Sequence, residues 1–358
     1  MAVYTAIDDP EAYFQTVIYT GNGSANNAIT LPADTDMQPD LVWIKNRETT
    51  DVHCLFDAVR GATKFISSNN TAAETTDADT LDSFTSDGFQ VDADDKVNTN
   101  TEDYVSWNWK AGTSFTNDAS ATSVGNTDSS GSASSTAGFS ISTYAGVGSS
   151  LDIQVKHGLG VAPAVMIVKN LSSDSWAVYH HKNTSAPETD YLKLDTTAAT
   201  TDDADAAETW LDTAPTSAIF TAGDFSATNR ATDNHVGYFW NEVQGFSKFG
   251  SYKGNNNANG PFVYLGFRPA YLVLKRIESS GGEWLCWDNK RTTFNEMTKA
   301  LALNDNLVED TTKEMDFLSN GFKIRTTDTN YNAAEEYVYM AFAEAPFVNS
   351  NGVPCNAR

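Results

Sequence analysis

The sequence predicts an all-β protein made of three tandem antiparallel β-sandwich domains, and three observations carry that expectation. Five anchors built from aromatic residues, glycine and proline recur three times at nearly constant spacing. Short aromatic and β-branched segments alternate with glycine-rich turns, which is the pattern of strands and hairpins. Each repeat also holds one continuous apolar run that starts at a proline, the signature of a strand buried on both faces.

The anchors follow in order. Each unit opens with an aromatic strand and a turn: Tyr19-Thr-Gly-Asn-Gly23, Tyr144-Ala-Gly-Val-Gly148 and Tyr252-Lys-Gly-Asn-Asn256. The proline-led runs are Pro39-Asp-Leu-Val-Trp-Ile-Lys45, Pro163-Ala-Val-Met-Ile-Val-Lys169 and Pro269-Ala-Tyr-Leu-Val-Leu-Lys275, each ending in a lysine six residues after the proline. A second aromatic strand follows at Phe56, at Trp176 with Tyr179, and at Trp284 with Trp287. Then come the hairpin signals Phe84-Thr-Ser-Asp-Gly-Phe89 and Phe317-Leu-Ser-Asn-Gly-Phe322, with a weaker form at Phe220-Thr-Ala-Gly-Asp-Phe225, where the Asp-Gly or Asn-Gly pair is expected to supply a positive φ. Alternating aromatic strands starting at Tyr104, His235 and Tyr337 close the units. Tyr19 to Tyr104 and Tyr252 to Tyr337 are both 85 residues, and Tyr144 to His235 is 91.

This divides the chain into a first sandwich at 1–112, a Ser/Thr/Gly-rich linker or loop at 113–138, a second sandwich at 139–245 and a third at 246–358 with a C-terminal tail. A jelly roll of the concanavalin-like kind is the expected version, each unit closing its own core around its proline-led strand. The polar run at 195–208 reads as a loop or short helix, and 294–303 has a helix-compatible composition.

Composition narrows the function. With 40% hydrophobic and 11% aromatic residues the chain can bury sizeable cores, and a net charge of −24 repels phosphate backbones, so nucleic acid is not an expected partner. Nothing approaches the ~18 apolar residues of a membrane span, and the first nine residues lack a secretory signal, so no membrane insertion is expected and folding in a cytoplasm is. Cys54, Cys286 and Cys355, an odd number without CxxC spacing, indicate neither disulfides nor zinc.

Catalytic chemistry finds little footing. Adjacent His180 and His181 would face opposite ways on a regular strand and so are not joint metal ligands. No strand carries the carboxylate pair of a glycosidase, and Asp92, Asp94, Asp95, Glu335 and Glu336 read as solvated turn acids. Calcium favours such acids, but the six-ligand EF-hand spacing is missing. The expectation is a non-enzymatic protein with no catalytic residue, cofactor or metal. Trp284, Trp287 and Trp107 are candidates for glycan or partner contact, since sugar faces stack on indoles; the competing reading places them in a core.

The opening Ile7-Asp-Asp-Pro-Glu-Ala-Tyr-Phe-Gln15, the strand Tyr104-Val-Ser-Trp-Asn-Trp-Lys110, the block His157-Gly-Leu-Gly-Val-Ala-Pro163 and the block Phe317-Leu-Ser-Asn-Gly-Phe322 resemble repeated-domain structural proteins of marine tailed phages, of fibre, decoration or concanavalin-like lectin-fold type. The resemblance covers Ile7 to Phe347. It implies a place on the virion surface and partners among the capsid or tail proteins. With no heptad stretch and no short-period β-helix repeat, a capsid decoration or head-fibre protein is the preferred version. The alternative is a tail fibre or receptor-binding component that contacts host surface polysaccharide. Three like units in one chain would let a monomer imitate a trimer, as against a homo-oligomer.

Overall fold

Each run that follows a proline folds as a strand without a solvent-facing side. Leu41–Asn46 and Val165–Asn170 are buried throughout, and Phe267–Arg276 is buried at all but its last residue. The computed structural model describes residues 4–148, 152–203 and 208–355, and it is all-β with short helical turns.

Around each of these strands the same antiparallel order recurs: opening strand, closing strand, proline-led strand, second aromatic strand. In the first unit these are Phe14–Thr20, Asp103–Trp109, Leu41–Asn46 and Cys54–Asp57. In the second they are Phe139–Ala145, Asn234–Trp240, Val165–Asn170 and Trp176–His180, and in the third Ser247–Lys253, Glu336–Pro346, Phe267–Arg276 and Leu285–Asp288. Register matches as well, because Leu41, Val165 and Tyr271 pair with Trp109, Trp240 and Phe342. A small sheet accompanies each large one. It is formed by Asn27–Thr30, Leu81–Thr85 and Gly88–Val91 in the first unit, by Ile153–Lys156 with Ile219–Ala222 in the second, and by Phe262–Tyr264, Met315–Leu318 and Gly321–Ile324 in the third.

Side-chain alternation along the proline-led strands sends successive residues to opposite faces. Val42 and Ile44 enter a core of the first unit, Met166 and Val168 one of the second, and Leu272 and Leu274 one of the third. The intervening residues Leu41, Trp43, Val165, Ile167, Tyr271 and Val273 all enter a single fourth core. The interior is therefore not divided into three closed compartments, as the sequence suggested. Each large sheet is covered on one face by its small sheet and on the other by its two counterparts. At the centre Trp109 lies 6.2 Å from Trp240 and 5.6 Å from Phe342 between ring centroids, and Phe14 stacks on Phe342 at 5.2 Å.

Three local expectations are corrected. The segment 113–138 is not a linker: Thr113–Asn117 and Ser129–Ser134 pair with each other, and the latter with Phe139–Ala145, widening the second sheet. An outer strand needs main-chain partners more than apolar side chains, so a Ser/Thr composition hid it. Residues 294–303 form bridges and the short strand Leu301–Ala302 rather than a helix. Gly88 and Gly321 do not adopt positive φ; a Cβ there would sit 2.1 Å from the Ile29 carbonyl oxygen and 2.0 Å from that of Val263, so close strand approach selects glycine. In the run 195–208, Thr201–Asp202 is a strand, and 204–207 lie outside the described residues.

A common central core makes the units energetically interdependent. Urea unfolding is expected to be one transition, with far-UV circular dichroism and tryptophan fluorescence superimposing; three separable steps would contradict the shared core. Trp240→Ala is expected to cost about 3–5 kcal/mol and to displace that whole transition.

Candidate functional site

Where the three large sheets meet, polar atoms lose water and must find partners across the seams. Trp176 pairs with Lys169, and His53 and Trp284 hold the matching places in the other units, one residue beyond the pairs Ile44–Cys54 and Leu274–Leu285. The Trp176 indole donates to the Ser67 carbonyl at 2.9 Å, from second unit to first. The Trp284 indole donates to the Lys193 carbonyl at 2.8 Å, from third to second. His53 Nδ1 accepts from the Trp43 indole, so its Nε2–H is free to donate to the Ala302 carbonyl at 3.0 Å, from first to third. The three contacts run in one rotational sense and close a ring.

Four residues further on, a second ring joins the closing strand of each unit to the second aromatic strand of a neighbour, with the donor on the closing strand in two contacts and on the second aromatic strand in the other. The Tyr238 hydroxyl donates to Asp57 at 2.8 Å, the Trp107 indole to Asp288 at 3.1 Å, and His180 Nε2 to the Tyr339 carbonyl at 3.1 Å. Asp57 and Asp288 also pair with the buried Arg60 and Arg291. Arg291 reaches Glu309 at 3.2 Å, and Arg47 of the first unit holds the same carboxylate through two bonds of 2.9 and 3.0 Å. His180 and Asn183 stand in the second unit where the others have Asp and Arg.

Lys45, Lys169 and Lys275, each next to the last residue of its proline-led strand, are buried as well. Lys45 Nζ donates to the Asn46 and Thr49 carbonyls, Lys169 Nζ to those of Thr71 and Asp174, and Lys275 Nζ to that of Gly282. The ammonium of Lys169 lies 5.8 Å from the Trp176 ring centroid and that of Lys275 5.8 Å from the Trp284 centroid. Loss of hydration pushes Lys45 and Lys169 down to about 8 and Lys275 down to about 7.

The opening turns are clamped by a feature the sequence reading missed. Each short helical turn, Asp95–Asn98, Ser226–Asn229 and Thr329–Asn332, ends in a buried asparagine. Asn98 Oδ1 accepts from the Asn22 amide, Asn229 Oδ1 from Val147 and Gly148, and Asn332 Oδ1 from Asn255. The third turn position is left-handed in all units, with φ of 63° at Gly23, 79° at Gly148 and 52° at Asn256. The available signal was an asparagine five or six residues ahead of each closing aromatic.

The three tryptophans singled out from the sequence are not surface platforms. Trp107, Trp284 and Trp287 are at most 2% exposed, and their indoles donate to Asp288, Lys193 and Lys313. Their strand periodicity came from core packing, and none offers a ring face to a glycan or partner. His180 and His181 do not diverge: their rings lie 5.5 Å apart, because the strand ends at His180, and both reach carbonyls of the third unit, Tyr339 and Phe249. Burial pushes His53 and His180 down to about 3 and His157 and His235 down to about 4, so these imidazoles are neutral at pH 7. Burial raises the Cys54 thiol well above its usual range and Cys286 to about 12. Asp94 caps the turn Asp95–Asn98 and pairs with Lys96, Asp92 accepts from the Asn26 amide, and Glu335 accepts from Ser279. Among the described residues no group of three or more His, Cys, Asp or Glu is placed to hold a metal ion.

What the arrangement does is lock three sheets into one body. Residues 9–346 match a domain of unknown function, DUF7483. The chain belongs to the DUF7483 family. No curated protein and no solved structure matches it. In this DUF7483 chain the seams bring buried polar groups of all three units together.

Two measurements test the seams. Asp288→Ala takes from Arg291 its nearest carboxylate and from the Trp107 indole its acceptor, and is expected to destabilise by about 3–5 kcal/mol in urea denaturation. Because the lysines bind protons less tightly folded than unfolded, stability should rise with pH above 7, by at most about 1.4 kcal/mol per pH unit for each group. Lys275→Met is expected to flatten that rise between pH 7 and pH 9; an unchanged slope would show that Lys275 does not titrate there.

Proposed function

We propose that this DUF7483 chain is a non-enzymatic surface protein of a tailed-phage particle, a capsid decoration or head-fibre component built of three tandem concanavalin-like jelly-roll sandwiches. The observation that carries the reading is the pair of cross-unit contact rings that close around one shared core. A single chain then presents threefold-related surfaces, the geometry a decoration protein needs to sit on a threefold or local threefold site of a capsid lattice. The net charge of −24 supports the same reading, because it keeps such a molecule soluble at high local concentration before assembly.

Electron microscopy of intact particles tests this. The expected result is one chain centred on a threefold or local threefold position of the head. A copy lying on a twofold axis, antibody labelling confined to the tail, or absence from the particle would each overturn the proposal.

A further inference from the structure

A strap beyond the second aromatic strand of each unit lies on a neighbouring unit: 67–74 on the second, 193–200 on the third and 302–309 on the first. Contacts recur at its first, fifth and eighth residues. The first residues, Ser67, Lys193 and Ala302, supply the carbonyls of the first ring. At the fifth, the Thr71 carbonyl accepts from Lys169, the Thr197 carbonyl accepts from the Gly281 amide at 2.8 Å, and the Asn306 side chain donates to the Thr50 carbonyl at 2.7 Å. At the eighth, the amides of Glu74, Thr200 and Glu309 donate to the carbonyls of Leu171, Ile277 and Arg47 at 2.8, 3.0 and 2.9 Å. Each of those acceptors lies two residues beyond the buried lysine of its unit.

The strap ends differ in what they touch. Leu171 and Ile277 are aliphatic and pack on the shared core, so the first–second and second–third seams are apolar there. The third–first seam has Arg47 instead, its side chain 10% exposed, paired with Glu309 at 8%. Glu74 holds the same strap place as Glu309, yet its carboxylate stays with Arg60 and Lys64 of its own unit. Glu309 has the matching Arg291 and Lys299 and reaches across to Arg47 as well. Burial alone would raise the Glu309 carboxyl, but the Arg47 hydrogen bond and the charges of Arg291, Arg47 and Lys299 hold it below its ordinary value, so it is ionised at pH 7. Lys290 and Glu11 form a second ion pair over this seam at 3.8 Å, and the Ser350 amide donates to Asp8 across it at 2.7 Å. The contacts described at the other two seams join no opposite charges.

Connectivity singles out the same place. The chain runs from the closing strand Asp103–Trp109 into Thr113–Asn117 and from Asn234–Trp240 into Ser247–Lys253, so backbone bridges the first–second and second–third seams. None bridges the third and first units. A seam spanned by backbone recloses against a closely tethered neighbour. Separating an ion pair also returns both charges to water, which offsets much of the attraction lost, whereas separating an apolar contact has no such return.

We infer that the three-sheet body opens first at the seam between its third and first units, where Glu309 and Arg47 form an ionic latch, while the other two seams stay closed. Such opening is an excursion of the native state that falls short of global unfolding, so a single urea transition is still expected. The latch is a property of the isolated chain and stands with or without a virion partner.

Three indoles report on one seam each: Trp176 on the first–second, Trp284 on the second–third and Trp107 on the third–first, all at most 2% exposed. Native-state hydrogen exchange of their N–H groups, followed by NMR in the full chain, is expected to be at least about tenfold faster at Trp107 than at the other two. The Glu309 amide should exchange in step with Trp107, ahead of the Glu74 and Thr200 amides. Glu309→Gln keeps the side-chain shape but removes the charge, and should speed Trp107 by a further factor of about ten while leaving Trp176 and Trp284 unchanged. Arg47→Leu reproduces the first–second arrangement, with Glu309 kept by Arg291 and Lys299 as Glu74 is by Arg60 and Lys64. It should slow Trp107 to the range of Trp176, where loss of a merely structural ion pair would speed it. Equal rates at the three indoles of the wild-type chain, equal acceleration of all three by Glu309→Gln, no acceleration of Trp107, or a faster Trp107 in Arg47→Leu would each overturn the latch. A fast Glu309 amide beside a slow Trp107 indole would mean that only the strap frays, and overturns it too. Should the variants misfold, the wild-type comparison decides alone.

Discussion

A sheet whose central strand is apolar on both faces needs two covers, and most of this architecture follows from that need. The small sheet of each unit is one cover, packed on Val42, Met166 or Leu272 and their neighbours. The second can come only from other sheets, and the chain supplies it by turning three large sheets inward on one another. Closing that centre strips water from the seams, so each desolvated donor needs an acceptor at a fixed place. The indoles of Trp176, Trp284 and Trp107 meet that requirement with carbonyls or a carboxylate of the next unit. The apolar effect brings the sheets together, and the seam hydrogen bonds set their rotational relation.

Much of this was legible in the sequence, because strand chemistry is local. The proline-led runs, the closing aromatic strands and the glycine turns all fall where their residue types place them, and the all-β character follows. What was not legible is which partner covers a face. Leu41 and Val42 look alike as apolar residues, yet one enters the shared core and the other its own unit's core. Trp107 and Trp284 show the same limit: strand period cannot separate an indole on a loop-proximal surface from one that bonds across a seam. The strands at Thr113–Asn117 and Ser129–Ser134 were hidden for the opposite reason, since a main-chain ladder carries them. The terminal lysines read as strand ends but are buried, held by carbonyls of turns that composition describes only as polar.

The repeats have also diverged along physical lines. Two units anchor their second seam contact on an Asp–Arg pair, and the other uses His180 with Asn183, trading an ion pair for a neutral imidazole. Two carry the acidic excess, and most of the exposed rings lie on the third. Interior positions keep their roles through different chemistries, whereas outer positions such as Thr30, Lys156 and Tyr264 share only their register.

Placing the three sheets on one polypeptide has a kinetic meaning. A trimer of separate subunits dissociates on dilution, because its seams form at a rate set by subunit concentration. Here the connecting segments hold each sheet near its neighbours at a fixed effective concentration, so the core closes equally well at any protein level. The molecule thus reaches its finished shape by a first-order process.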